Sequence, residues 1–218
     1  MKQHHLTGMI VIAVLLAGAA QAQSPTQKIA GDVVKVDGDK LEVKSTAGQV
    51  VDVKLPDKVR LSARSPTDAS KLTRGEFVGA TAVPQADGTL RASEVHIFAE
   101  SMRGTGEGHR PMDNEPGSTM TNATIANVGG AAQRNTMTNA TVADVAGTSG
   151  ERRLTLSYKG GEKTVVVPEN VPILTVEPAD RSLLAPGTHV IVYAAPQADG
   201  ALAAERVSIG KNGYVPPL

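Results

Sequence analysis

The chain repeats a block of its own sequence about half a chain apart, and this duplication limits the fold more than any single residue does. Residues 83–97 align without a gap on residues 195–209, 112 positions later, and nine of the fifteen positions are identical. The same offset relates Asp68 to Asp180, so roughly seventy residues are represented twice. The sequence therefore predicts two copies of one small module.

Composition narrows the class of protein. A chain of 218 residues with a duplicated block fits two small domains, and with only 2% aromatic residues their cores have to be built from Val, Ile, Leu and Ala. Twenty-two basic and 22 acidic residues cancel, which argues against binding to nucleic acid or to an anionic membrane. The sequence has no cysteine, which excludes disulfides, thiolate metal sites and a cysteine nucleophile.

The first 22 residues have the pattern of an export signal. Lys2 supplies a positive charge, residues 9–17 are apolar, and Ala20-Gln21-Ala22 is a small-residue cleavage site. An uncleaved anchor is the alternative, but the apolar run is short for a membrane span. We expect a signal peptide over 1–22, a periplasmic or secreted protein, and no integral membrane segment after cleavage.

Alternating apolar and polar residues predict a first β-barrel module over 28–100. The alternation from Ile29 to Val36 stops at Asp37-Gly38, a dipeptide typical of a two-residue hairpin turn. Asp68 is a plausible cap for a short helical turn. The predicted strands of this module are Ile29–Val36, Leu41–Lys44, Val51–Leu55, Phe77–Ala82 and Leu90–Phe98.

The second copy repeats this plan and predicts a second barrel module over 119–211, followed by a C-terminal tail over 212–218. The expected fold is therefore all-β, with two tandem small five-stranded barrels that resemble the OB-fold. A pair of very small β-sandwiches is the competing geometry, because strands of both bury one face.

The segment between the modules, 101–118, is rich in Gly and Pro and predicts a linker without regular structure. A shorter duplication follows it, in which residues 119–128 recur with two changes as 136–145. Because residues 141–145 form the first expected strand of the second copy, residues 119–128 are an extra strand. We expect it to pair in a sheet, on an edge of the first module or beside its twin.

Methionine is concentrated between the two modules, where all Met residues outside the signal lie, together with one histidine. Met102, His109 and Met112 have thioether and imidazole groups that suit Cu(I), and Asp113 is a further ligand for Cu(II). The alternative is that these methionines fill irregular gaps in the packing. If this segment binds a metal, the candidate ligands are Met102, His109, Met112 and Asp113 and the metal is copper; otherwise no cofactor is expected.

Two histidines lie on predicted strands at positions that do not correspond between the copies. His96 is expected at the surface beside Glu94, and neither His96 nor His189 belongs to a recognisable Ser-His-Asp arrangement. The sequence predicts no catalytic residue and no enzyme.

The strand and turn sequences resemble a family. Residues 32–38 and 84–90 are similar to a widespread bacterial exported domain of unknown function that forms small β-barrels, often in tandem. Residues 158–168 and 210–217 resemble a proteobacterial set of periplasmic proteins, some of which carry the label metal ABC transporter permease. The permease label conflicts with a chain whose one hydrophobic segment is a signal. A soluble component of metal handling is compatible with it.

The function that follows is a non-enzymatic exported module that binds a ligand or supports the cell envelope. Its partner would be an unknown envelope protein or a small ligand. The alternative is a periplasmic copper carrier that uses the Met and His residues of the linker.

Overall fold

The computed structural model describes residues 25–112, 116–130 and 150–215. Within these residues the regular structure consists of thirteen β-strands and three short 3-10 turns. None of the helical turns in this part of the chain is long and apolar enough to cross a membrane. The predicted signal peptide over 1–22 and the second copy of the decamer, 136–145, lie outside the described residues.

The first six strands belong to the first half of the chain, a seventh strand follows them, and the last six strands belong to the second half. The first half contains β1 (Gln27–Asp37), β2 (Lys40–Ser45), β3 (Val50–Lys54), β4 (Arg60–Thr67), β5 (Phe77–Pro84) and β6 (Leu90–Phe98). A short β7 (Gly108–Pro111) follows. The second half contains β8 (Thr119–Gly130), β9 (Arg152–Tyr158), β10 (Gly161–Val167), β11 (Ile173–Pro178), β12 (His189–Pro196) and β13 (Leu202–Gly210).

Five of these strands, from both halves, close a first barrel. β1 pairs with β2, β2 with β3, β12 with β1 and β13 with β12, all antiparallel. The ring closes where Val53 of β3 pairs in parallel with Leu202 of β13. This closed five-stranded ring confirms the predicted all-β class, and its Greek-key order agrees with the expected resemblance to the OB-fold.

The same pattern of pairing joins the remaining long strands. β5 pairs with β6 and β8, β9 pairs with β8 and β10, and Val165 of β10 pairs in parallel with Leu90 of β6. We call this ring the second barrel. It combines β5 and β6 of the first half with β8, β9 and β10 of the second half.

The two halves are therefore interleaved and do not form tandem barrels. The predicted boundaries 28–100 and 119–211 do not delimit the barrels, because β1 to β3 pair with β12 and β13 and not with β5 and β6. Both halves have the same alternation, so a strand of either half offers the same apolar face to a barrel. The predicted boundaries differ from the observed barrels because pairing within a half and pairing between halves satisfy this alternation equally well.

A seam of two strands joins the barrels. β4 pairs antiparallel with β11, β4 also pairs in parallel with β13, and β11 pairs in parallel with β6. Across the seam the hydroxyls of Ser65 and Thr175 lie 2.8 Å apart. β4 and β11 were not predicted from the sequence, because polar residues and prolines interrupt their alternation.

Aliphatic side chains fill both barrels. One buried cluster contains Val33, Leu41 and Val207 inside the first barrel, and the other contains Val95, Ile125 and Leu156 inside the second. Each cluster consists of Val, Ile, Leu and Ala, in agreement with the small supply of aromatic residues. Burying such side chains supplies the main stabilising term of each barrel.

The segment predicted as a linker, 101–118, contains regular structure. Residues 108–111 form β7, which pairs antiparallel with residues 119–122 of β8, and Met112 N donates to Ser118 O at 2.9 Å. The prediction of a loop is therefore wrong for β7. The extra decamer 119–128 does pair in a sheet as expected, but it lies within the wall of the second barrel, between β5 and β9.

Candidate functional site

A cavity of about 510 Å³ lies beside the start of β12 and the end of β13. It is lined by the ends of these strands, by the loop that precedes β12 and by the residues that follow β13. The polar lining residues are Asp32, Ser182, Thr188, His189, Lys211 and Asn212.

Local sequence fixes the loop that borders the cavity. The Oδ1 atom of Asp180 accepts a hydrogen bond from Ser182 N at 2.8 Å and caps a 3-10 turn. Gly187 has a φ of 82°, which favours glycine, and its N–H donates to Val33 O at 2.8 Å. Val33 N in turn donates to Thr188 O at 2.9 Å. The loop is thus held against β1.

His189 and Asp32 form a pair at the cavity wall. They are directly opposite each other on the antiparallel strands β12 and β1, so their side chains lie on the same face. His189 Nδ1 is 2.9 Å from Asp32 Oδ1, and the imidazole is 12% exposed while the carboxylate is 59% exposed. The carboxylate therefore orients the ring and still faces solvent.

In the first half of the chain, side chains fill the place that is equivalent to this cavity. There Phe77 corresponds to His189 and Phe98 to Gly210, and the two phenyl rings lie 5.6 Å apart. The guanidinium of Arg103 lies 5.9 Å from the Phe77 ring and donates to Gly75 O at 2.9 Å. Aromatic bulk thus occupies in one half the volume that the other half leaves open.

The position of the Phe98 ring requires a glycine at position 79. A Cβ at Gly79 would lie 3.1 Å from the Phe98 ring and 2.7 Å from Asn122 Oδ1. The corresponding residue of the second half is Ile191, which is buried. Even so, the second half retains its cavity, because His189 and Gly210 are smaller than the two phenylalanines.

A second polar group lies at the seam. His96 is only 6% exposed, so the expectation of a surface histidine is wrong, although its Nε2 atom does contact Glu94 as expected. The side chain is covered because β11 lies directly beside β6 and pairs with it. Arg64 Nη1 is 4.0 Å from Glu94 Oε1.

Burial sets the protonation of these groups. Burial lowers the pKa of His96 below its ordinary value, and the charge of Arg64 acts in the same direction, while the contact with Glu94 opposes both. Burial alone would raise the pKa of Glu94, but the contact with His96 and the charge of Arg64 outweigh it and lower that pKa. The pair is therefore a neutral imidazole beside an ionised carboxylate at neutral pH.

The residues predicted to bind copper are distributed around β7. His109 is on β7, with Nδ1 2.8 Å from Thr121 Oγ1, and Met102 ends a 3-10 turn after β6. Met112 directly follows β7, and Asp113 lies outside the described residues. Among the residues that the structure covers, no group of three or more His, Asp or Glu is placed to hold a metal ion.

Residues 162–208 match one known family. It is described as a domain of unknown function, DUF5666. No curated protein and no solved structure matches the chain. The DUF5666 match covers nearly all of β10 to β13, which belong to the second barrel, the seam and the first barrel in turn. The unit of the DUF5666 sequence thus follows the repeated half of the chain and crosses from one barrel to the other.

The cavity was not predicted from the sequence, although the two copies differ at the positions that border it. Aligning the two copies places His189 against Phe77 and Gly210 against Phe98, and both changes remove apolar bulk. A difference of this kind between duplicated segments indicates that one half has a feature that the shared fold does not need.

Proposed function

We propose that the chain is a non-enzymatic, exported binding module whose cavity beside β12 and β13 takes a small polar ligand. The observation that carries this proposal is the difference between the two halves. The same place is filled by Phe77, Phe98 and Arg103 in the first half and open in the second half. An open cavity with a few convergent polar groups is the usual form of a small-molecule site.

The lining favours a ligand that donates hydrogen bonds. The carboxylate of Asp32 is exposed on the cavity side of its contact with His189 and accepts hydrogen bonds. Lys211 Nζ is already paired with Glu177, so this lysine is balanced by a carboxylate. Small amines and polyols therefore fit the site better than anions do.

The arrangement of Ser182 supports binding rather than catalysis. Its hydroxyl contacts Asp180 Oδ1 within the cap of the 3-10 turn. A serine nucleophile would instead need its hydroxyl on the imidazole that activates it. His189 is paired with Asp32, and this cap holds the Ser182 hydroxyl in a structural role.

Transplanting the packing of the first half tests the proposal. The triple variant His189→Phe, Ile191→Gly, Gly210→Phe recreates the residues at 77, 79 and 98, which are known to pack together in this fold. A library of small amines and polyols is screened by ligand-observed NMR against the mature chain and the triple variant, and protein-observed spectra of the mature chain follow the His189 ring signals. We expect compounds that bind the mature chain, shift the His189 ring signals and do not bind the variant.

A matched variant separates the ligand groups. Asp32→Asn keeps the shape of the side chain and removes its charge, so amines are expected to bind more weakly while neutral polyols change little. If every compound binds the triple variant as well as the mature chain, or none shifts the His189 signals, the proposal is wrong.

A second candidate, copper carriage by the segment around β7, is favoured by the state of His109. Thr121 lies at its Nδ1 atom, and burial together with the charge of Lys163 lowers the pKa of His109, which keeps the imidazole neutral as a metal ligand has to be. Titration of Cu(I) and Cu(II) into the mature chain and into His109→Ala, Met112→Ala tests it. Stoichiometric binding lost in the variant supports this candidate, and affinity no tighter than about micromolar excludes it.

A further inference from the structure

The seam between the barrels contains a guanidinium with a buried donor that has no hydrogen-bond partner among the described residues. Arg64 on β4 reaches across β11 toward Glu94 and His96 on β6, and its side chain is 19% exposed. Its Nη1 atom is 4.0 Å from Glu94 Oε1, beyond hydrogen-bond distance. Among the described residues, the Nε atom of Arg64 has no hydrogen-bond partner, and this atom is fully buried.

The fold does not require this group. At the same offset, the other half has Val176 in place of Arg64 and Ser208 in place of His96, and both are buried. The counterpart of Glu94 is Arg206, whose guanidinium lies 3.7 Å from the centre of the Tyr193 ring. Since the equivalent place is built from an aliphatic residue and a serine, the cluster of Arg64, Glu94 and His96 is an addition to the fold.

A buried donor without a partner is costly. Leaving a buried polar group without a hydrogen bond costs about 1–3 kcal/mol, and more for a charged one. The exceptions found in native proteins call for an explanation such as a water, an ion or a ligand. Arg64 therefore points to a bound group that completes its hydrogen bonds.

The surroundings of Arg64 favour a negative group. The residues after β13 turn over it, with Lys211 N donating to Arg64 O at 2.9 Å, and the phenol of Tyr214 is close enough to sense the charges of both Glu94 and Arg64. Lys28 also acts on Glu94. Two positive charges, those of Arg64 and Lys28, thus act on the single carboxylate of Glu94.

We propose that Arg64 is the binding group of a second site, at the seam, for a small oxyanion that carries a carboxylate or a phosphate. The planar guanidinium matches two oxygens of such a group and binds them with parallel hydrogen bonds. Glu94 leaves those donors free because its Oε1 atom, which contacts His96, is 4.0 Å from Arg64 Nη1 and beyond hydrogen-bond distance. Arg64, Glu94 and His96 are not among the residues that line the cavity beside β12 and β13, so this proposal does not depend on the function proposed for that cavity.

The proposal is tested by titrating the mature chain with inorganic phosphate and with acetate, at constant ionic strength set with chloride. The Nε–H signal of Arg64 in an NMR spectrum of arginine side chains is the readout, and isothermal titration gives the affinity. We expect at least one of the two anions to shift that signal in a saturable way. A response to phosphate alone identifies a phosphate group as the ligand, and a response to acetate identifies a carboxylate.

Three variants make the test specific. Arg64→Met removes the guanidinium and is expected to abolish binding, whereas Arg64→Lys keeps the charge, loses the paired donors and is expected to bind about tenfold more weakly. Arg206→Met removes a guanidinium at the surface of the other half and is the control that keeps full binding. The Nε–H signal of the unmodified chain remains informative even if Arg64→Met does not fold. Absence of a saturable shift with either anion, or unchanged binding in Arg64→Met, overturns the proposal.

Discussion

Phe98 and Gly210 occupy the same position in the two halves of the chain, and only the first supplies a ring to fill the groove outside its barrel. Phe98 packs against Phe77 and lies over Gly79. The corresponding groove at Gly210 is part of a cavity of about 510 Å³. The two halves thus contain the same groove, which an aromatic ring fills at Phe98 and which is open at Gly210.

Phe98→Gly is expected to open a cavity in the first half and to lower the free energy of unfolding. Large-to-small changes of buried phenylalanine cost about 3–5 kcal/mol, and because Phe98 is partly exposed we expect a value near the lower end, about 3 kcal/mol. Urea unfolding followed by circular dichroism measures it. Phe98→Leu, which keeps most of the apolar bulk, is the control and is expected to cost clearly less. Equal losses for the two variants would show that the ring does not fill this groove.

Interleaving predicts that the two halves stay together after the chain is cut between them. A protease site inserted between Gly104 and Thr105 lies in an exposed turn that follows β6. After cleavage we expect one species of unchanged size in gel filtration, because each barrel contains strands of both halves. A denaturing gel confirms that the chain is cut. Separation of the two fragments under native conditions would mean that each half folds by itself.

A core substitution in the first half is expected to loosen strands of the second half. Leu41 of β2 is fully buried, and Leu41→Ala is expected to cost about 2–5 kcal/mol. Because β2 belongs to the first barrel, hydrogen exchange should accelerate more in β12 than in β5. Leu156→Ala, in the second barrel, is the matched control and should show the opposite order. Faster exchange in β5 than in β12 for Leu41→Ala would contradict the pairing described above.

Stability is expected to fall as the pH decreases below about 6.5, the ordinary pKa of histidine in an unfolded chain. The pKa of buried His96 in the folded chain lies below that value. Between the two pKa values the unfolded chain binds a proton that the folded chain does not bind, so the free energy of unfolding decreases as the pH falls. Above that pH His96 is neutral in both states and contributes no dependence. Arg64 and Glu94 face the ring and are charged throughout the upper part of this range.

His96→Ser, which introduces the residue found at the equivalent position 208, removes this contribution and should flatten the dependence between pH 5 and 6.5. His109 also has a lowered pKa and contributes in the same direction, so His109→Gln is the comparison that isolates its share. The lowered pKa of Glu94 acts only below about 4.5, its ordinary value. An unchanged slope in His96→Ser would show that the histidine is not held neutral by the seam.

Much of the local structure follows from the sequence. Asp37-Gly38 predicts a tight turn, and Gly38 indeed has a φ of 60° between β1 and β2. Asp68 is the predicted cap, and its carboxylate accepts a hydrogen bond from Ser70 N. These features depend on neighbouring residues only, so a local pattern is sufficient to predict them.

The candidate site could not be predicted from local patterns, because its contacts join strands that are far apart in the sequence. His96 sits on a strand with ordinary alternation, and only the position of β11 beside β6 buries it. His189 meets Asp32 because β12 pairs with β1, which lies in the other half of the chain. Neither contact has a signature within its own segment, although the differences between the two copies mark the positions where they occur.

The amino-acid sequence by itself determined the strand class, the turns, the aliphatic cores and the existence of two equivalent halves. Only the tertiary structure decided which strands share a barrel, because both halves have the same alternation of apolar and polar residues, and this alternation sets the buried face of a strand without choosing its neighbour. The pairing of β3 with β13 and of β10 with β6 made that choice. It placed the seam, the cavity and the buried charges where strands of the two halves meet.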